Sequence, residues 1–201
     1  MPMKTIYYNS AAANLCGKNP IIKAVLLNYI YNYHKPNIRK GPGSPACISL
    51  SQFVYRYMHK DLYIWKRSFI HKILKDLEKA GHIAIVRDEY KRPVYSVSQQ
   101  IVTLLNDEKA QWVNFDLEVA CRFNIYTAIV TRYILHVIDQ SPKKVAYNLS
   151  VTRMAEVSCV SPAQIYRVIR HLEAEKIVKR DKSSLKHPTR ALCLARYRRK
   201  E

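Results

Sequence analysis

The sequence predicts a mainly α chain with small β-hairpins, an α+β class, built as two similar units in tandem. Three observations carry this. Apolar residues recur at helical spacing in two stretches near residues 64–80 and 162–174, each followed by short apolar runs on either side of a charged turn. The two stretches superpose at an offset of 95 residues: Ile70 falls on Ile165, Ile73 on Val168, Leu74 on Ile169, Leu77 on Leu172, Glu78 on Glu173 and Ile83 on Val178. The outward cations repeat too, Lys72 on Arg167 and Lys75 on Arg170. Shared apolar positions would follow from any two helices of one period; shared basic positions point to a duplicated unit.

The stretch Ser150 to Arg180 is the most informative. Ser150 is placed to cap a short helix running through Glu156 and Val157, and Ser158-Cys159-Val160 reads as a turn. Ser161 caps a second helix with Pro162 at its first position, where proline forfeits no hydrogen bond. Ile165, Val168, Ile169 and Leu172 form its apolar face. Ala163, Arg167, Arg170 and Ala174 form the opposite face, with Gln164, Tyr166 and His171 on the flanks. A helix apolar inside and arginine-rich outside suits insertion into the major groove of DNA.

These residues resemble the winged helix-turn-helix family. In that family a small residue in the first helix precedes, by four positions, a turn residue that is usually glycine, and apolar residues follow at the turn and in the second helix. Ala155, Cys159, Val160, Ile165 and Val168 stand at those places. The family then reads Leu, polar residues, Gly, two apolar residues and a basic one; Leu172, Lys176, Ile177, Val178 and Arg180 follow that order. Cys159 and Lys176 replace glycines, so the turn at Cys159 is expected to differ locally. The resemblance implies two winged helix-turn-helix domains in tandem.

Along the chain, residues 1–19 are expected to be an irregular arm, in preference to a short strand at Lys4–Tyr8 followed by a loop or helical turn at Ser10–Gly17. The first winged-helix domain covers 20–98. Its first helix runs from Pro20 to about His34, with Ile22, Val25, Leu26, Tyr29, Ile30 and Tyr33 inward, and its tyrosines are read as core packing rather than base stacking. Residues 35–48 form a loop, and Ser49 or Ser51 caps a short helix. A longer helix from Ile64 to Ala80 ends at Gly81. Strands 82–87 and 93–98 flank the turn Asp88 to Arg92 and make a wing. Residues 99–117 are an ordered connector, with Ile101, Leu104, Leu105 and Trp112 expected to pack. The second domain covers 118–201: one helix to Asp139 burying Ile125, Ala128, Ile129, Tyr133, Ile134 and Val137, a short strand at 145–149, the motif above, a second wing and a basic tail.

Thirty-four Lys and Arg against fifteen Asp and Glu give a net charge of +19, which invites a polyanion. Residues 1–100 carry net +11 and residues 101–201 net +8, so both units are expected to bind. Five scattered cysteines without a CxxC pair, and no secretory signal core, are read as reduced thiols in a cytoplasmic protein. No apolar run is long enough for a membrane span. The histidines lack metal-ligand spacing, and no phosphate-binding glycine loop or hydrolase serine motif occurs, so no catalytic residue, metal or cofactor and no small-molecule substrate is expected.

The expected partner is duplex DNA, gripped through two successive major-groove contacts. Base reading is assigned to Ser68, Lys72 and Lys75 in the first unit and to Ser161, Gln164, Arg167 and Arg170 in the second. Phosphate and wing contacts are assigned to Lys66, Arg67, Lys91, Arg92, Arg153, Lys179, Lys182, Lys186, Arg190 and the cluster Arg198, Arg199, Lys200. Two basic copies in about two hundred residues resemble in architecture the replication initiators of iteron plasmids. That resemblance implies binding to origin repeats and partnership with a second copy or with replication proteins. Transcription regulation fits the same residues. A non-catalytic subunit that clasps a protein partner, as in condensin-like complexes, and RNA binding are the alternatives.

Overall fold

A computed structural model of the chain describes residues 5–33, 46–47, 50–59, 62–140, 145–146, 149–180 and 192–194. It is mainly helical with small antiparallel sheets. The chain divides into two compact units, Met1–Arg122 and Phe123–Glu201.

The first unit opens with β1 (Thr5–Asn9) and α1 (Ser10–Leu15), so the expected irregular arm is corrected to an ordered strand and helix. Asn9 joins them. Its Oδ1 accepts from the Ala12 N–H at 2.9 Å, capping α1, and its Nδ2 donates to the Leu104 carbonyl at 2.9 Å. Next comes α2 (Pro20–Tyr33). Ile22, Val25, Leu26, Tyr29 and Ile30 are buried as expected, while the Tyr33 side chain lies outside the described residues; Ile21, Ala24 and Leu27 are buried too, so the helix is covered on more than one face. The arm supplies that second cover: α1 and β1 pack on α2, and Lys23 Nζ, itself buried, donates to the Cys16 carbonyl at 3.1 Å.

Then follow β2 (Ala46–Cys47), α3 (Leu50–Arg56), the hairpin β3 (Met58–His59) and β4 (Leu62–Tyr63), α4 (Arg67–Lys79), β5 (Ile83–Arg87) and β6 (Pro93–Val97). The helix α3 includes Ser51, which therefore is not its cap; Ser49 lies outside the described residues. The strands β2, β6 and β5 form one antiparallel sheet in that order. Residues 99–117 contain α5 (Gln99–Asn106) and β7 (Trp112–Asp116), and α6 (Leu117–Arg122) closes the unit. The partner of β7 is β1, with Thr5 opposite Asp116 and Asn9 opposite Trp112. Ile101, Leu105, Val113 and Phe115 are buried as strand and helix alternation requires, but Trp112 takes the outer face and is 40% exposed, against the expectation that it packs.

The second unit contains α7 (Ile125–Gln140), β8 (Val145–Ala146), α8 (Val151–Ser158), α9 (Pro162–Ala174), β9 (Val178–Arg180) and β10 (Leu192–Leu194). The single helix expected from Glu118 is broken at Phe123–Asn124, because Asn124 Oδ1 accepts from the Thr127 N–H at 2.8 Å and starts a new helix there. The buried face of α7 is turned towards Thr127, Val130 and Ile138, leaving Ile125, Tyr133 and Val137 half-buried. The sheet order is β8-β10-β9. From α2 to β6, the β3–β4 hairpin apart, the first unit runs helix, strand, helix, helix, strand, strand as the second unit does, and in both three-stranded sheets the third strand lies between the first and second. The units differ between their paired helices: residues 57–66 hold the β3–β4 hairpin in the first, where the second has only the turn 159–161.

Candidate nucleic-acid interface

The helices α4 and α9 coincide at the offset of 95 from first residue to last. Ile70, Ile73, Leu74 and Leu77 are buried in one, and Ile165, Val168, Ile169 and Leu172 in the other. Their ends repeat bond for bond. Gly81 N–H donates to the Glu78 carbonyl at 2.9 Å and His82 N–H to the Leu77 carbonyl at 3.0 Å; Lys176 donates to Glu173 at 3.1 Å and Ile177 to Leu172 at 2.9 Å. This pattern closes a helix through one left-handed residue. Gly81 has φ +71° and Lys176 has φ +56°. Cys159 ends α8 with φ +54°. The turn at Cys159 therefore does not depart from the conformation a glycine would adopt; lysine and cysteine carry the strain instead.

The starts differ. In α9, Ser161 Oγ accepts from the Gln164 N–H at 3.3 Å and Pro162 sits at the first position. In α4 the capping position is Lys66, with no side-chain hydrogen bond. An aromatic cluster fixes that end instead. Trp65 stacks on fully buried Phe53 at 6.3 Å and meets Tyr57 edge-on at 5.9 Å, and Tyr29 closes the group 5.0 Å from Phe53. Burial pushes the Tyr57 phenol up to about 12, with the Arg56 charge opposing and Tyr29 adding to the rise, so it stays protonated at neutral pH.

Of the base-reading candidates, Ser68, Lys72, Lys75, Ser161, Arg167 and Arg170 are exposed, and Gln164 is half-buried. Lys66, Arg67, Lys91, Arg153 and Lys179 are exposed as well. Arg92 is exposed but engaged: its Nε donates to Asp88 Oδ2 at 2.8 Å, and its guanidinium lies 5.0 Å from the Tyr90 ring centroid. Asp88 Oδ1 also accepts from the Tyr90 and Arg92 N–H groups, so the turn is held by one carboxylate. Lys91, at φ +59°, is left as the outward cation of this turn. Lys182, Lys186, Arg190, Arg198, Arg199 and Lys200 lie outside the described residues. His171 is exposed, with its ring 6.0 Å from the Phe123 ring. Tyr166, read in the sequence only as a flanking residue, is 55% exposed beside Ala163 and Arg170; its spacing from both, i+3 and i−4, was the available signal.

No family model, curated protein or solved structure matches the chain. Among the described residues no group of three or more His, Cys, Asp or Glu is placed to hold a metal ion, and no helix is long and apolar enough to cross a membrane. Cys16, Cys121 and Cys159 form no disulfide.

Proposed function

We propose that this chain is a sequence-specific duplex-DNA-binding protein of two winged helix-turn-helix units, acting as a replication initiator on origin repeats or as a transcription regulator. The observation that carries the reading is the agreement between α4 and α9: four buried apolar positions and two exposed cations recur at one offset on helices of identical extent. A helix anchored on its inner face and basic on its outer face is what a groove-inserting helix requires. The two strands after each helix supply a wing, tipped by Lys91 in the first unit, and β9 carries Lys179. The net charge of +19 supplies the attraction to phosphate.

The two helices differ in a way that divides the work. The outer surface of α4 and its start is lysine-rich, with Lys66, Arg67, Lys72, Lys75 and Lys79 exposed, and its first N–H groups have no side-chain cap. Point charges and open N–H groups suit phosphate oxygens. The outer surface of α9 pairs Arg167 and Arg170 with the small residues Ala163 and Ala174, behind a start closed by Ser161. Forked guanidinium groups on a low surface suit the paired acceptors of guanine. On this reading α9 reads bases and α4 holds the backbone.

The test is fluorescence anisotropy with random duplex DNA, single-stranded DNA and duplex RNA across a salt series, followed by in-vitro site selection. Duplex DNA should bind tightest with a steep salt slope. On the selected site Arg167→Ala should cost about 1–3 kcal/mol, and on random duplex little. Direct repeats in the selected site favour an initiator, and a palindrome favours a dimeric regulator. Weak binding to all three nucleic acids at moderate salt would overturn the proposal.

A further inference from the structure

We infer that Tyr166 reads a thymine by covering its C5-methyl group. The inference rests on the duplex-DNA reading of α9 and goes beyond it by assigning one residue to one atom of one base. Tyr166 is in the second turn of α9, within the N-terminal half of the helix that reaches base edges when such a helix lies in the major groove. The residue is 55% exposed. On the helix surface it stands between Ala163, too small to screen it, and Arg170, with Arg167 adjacent in sequence. Among the described residues its side chain has no hydrogen bond, ring partner or cation above its face. Phe123, in the same unit, is by contrast engaged with His171.

The chemistry of the groove selects the base. Guanine, adenine and cytosine offer only hydrogen-bonding atoms at the major-groove edge, whereas thymine adds a methyl group. Arg167 and Arg170 already provide donors on this surface. What Tyr166 adds is apolar area, and the methyl is the one apolar group there for it to cover. The position is specific to the second unit, because its counterpart 95 residues earlier is His71, a polar ring, and the neighbour at 163 is replaced by Ser68. The first unit is not expected to show the same preference.

The full chain is used throughout. A site is selected with the wild-type protein, and each thymine in it is replaced singly by deoxyuridine, which removes only the methyl group. Affinities are measured for wild type, Tyr166→Phe and Tyr166→Ala. At one thymine the replacement should weaken wild type and Tyr166→Phe about four-fold, the transfer value of one buried carbon. Tyr166→Ala should bind both duplexes equally and should melt as wild type does, since the side chain is exposed. Absence of any thymine at which the methyl and the ring are coupled would overturn the inference while leaving DNA recognition by Arg167 and Arg170 standing. A loss on Tyr166→Phe equal to that on Tyr166→Ala would overturn it too, by assigning the effect to the hydroxyl. Failure of the wild type to bind duplex DNA at all would remove the reading beneath it.

Discussion

Positions 81 and 176 should respond to substitution in opposite senses. Both close a helix in the left-handed conformation with matching hydrogen bonds of 2.9–3.1 Å, yet one is glycine and the other lysine. A Cβ built on Gly81 meets no atom within 4 Å, so Gly81→Ala introduces no clash. What remains is the cost of an L-residue in the left-handed region, about 1–2 kcal/mol. Alanine also restricts the unfolded chain, which returns about 0.4–1 kcal/mol. The net loss is about 0.5–1 kcal/mol in the first unit. Lys176→Gly reverses each step and should stabilise the second unit by about the same amount. For a unit of this size that moves its melting temperature by roughly 2–8 °C. The protein holds two tryptophans, Trp65 and Trp112, and both lie in the first unit, so their fluorescence during urea unfolding isolates the effect of Gly81→Ala. Hydrogen exchange at the Ile177 amide, measured without DNA, isolates that of Lys176→Gly. A second unit weakened by Lys176→Gly, or an unchanged fluorescence midpoint for Gly81→Ala, would refute the argument from backbone conformation.

Three further outcomes are expected. Lys66→Ser should supply α4 with the cap that Ser161 gives α9, raising the stability measured by urea unfolding by about 1 kcal/mol while flattening the salt dependence of DNA binding by about 0.9 in slope; a gain in both stability and affinity would argue against a phosphate contact at Lys66. Burial, and then the Lys23 charge, hold the His82 imidazole below its ordinary value. The unfolded chain therefore takes up the proton more readily, and the contribution of His82 to stability, present above about pH 6.5, should fall as pH drops through that value. His82→Gln should remove this part of the slope in urea midpoints measured from about pH 7 to 5.5, and an unaltered slope would count against it. Lys23→Met keeps the buried stem and removes the charge, so an NMR titration should show His82 moving part of the way back up, burial being the larger cause.

The parts of the fold legible in the sequence are those whose causes are local. Ser161-Pro162 marks the start of α9, and its apolar spacing gives the buried face without help from the rest of the chain. The offset of 95 carried the same reading to α4. At the arm a strand over Lys4–Tyr8 competes with an irregular reading, and nothing local decides between them, because β1 is fixed by β7, more than a hundred residues on. A signal was nonetheless present in Pro20–Tyr33, apolar around most of its circumference save the side of Asn28 and Asn32: a helix of that kind needs cover on two faces, and the first unit's other helices supply one. The break before α7 was legible as Asn124 followed three residues later by Thr127, an ordinary capping spacing inside an apolar run. At the proposed interface the cation positions were readable, but their availability was not. Arg92 differs from Lys91 through the carboxylate of Asp88 folded back over the turn and the Tyr90 ring beneath its guanidinium, and Tyr166 gains interest once its side chain is known to stand exposed.

The pairing of β1 with β7 also sets an order of events during synthesis. Tyr8 and Phe115, 6.3 Å apart in the finished unit, leave the ribosome on the order of 5–20 s apart at about 5–20 residues per second. Everything from α2 to β6 is made in the interval, so the helices and sheet that carry α4 can assemble while the strand that will seal them still waits for its partner. Until Phe115 arrives, Ile6 and Tyr8 lack the cover that β7 gives and the backbone of β1 lacks its paired strand, an edge that another nascent chain can join. Pausing before β7 should therefore raise the yield of aggregated chains more than an equal pause after α6.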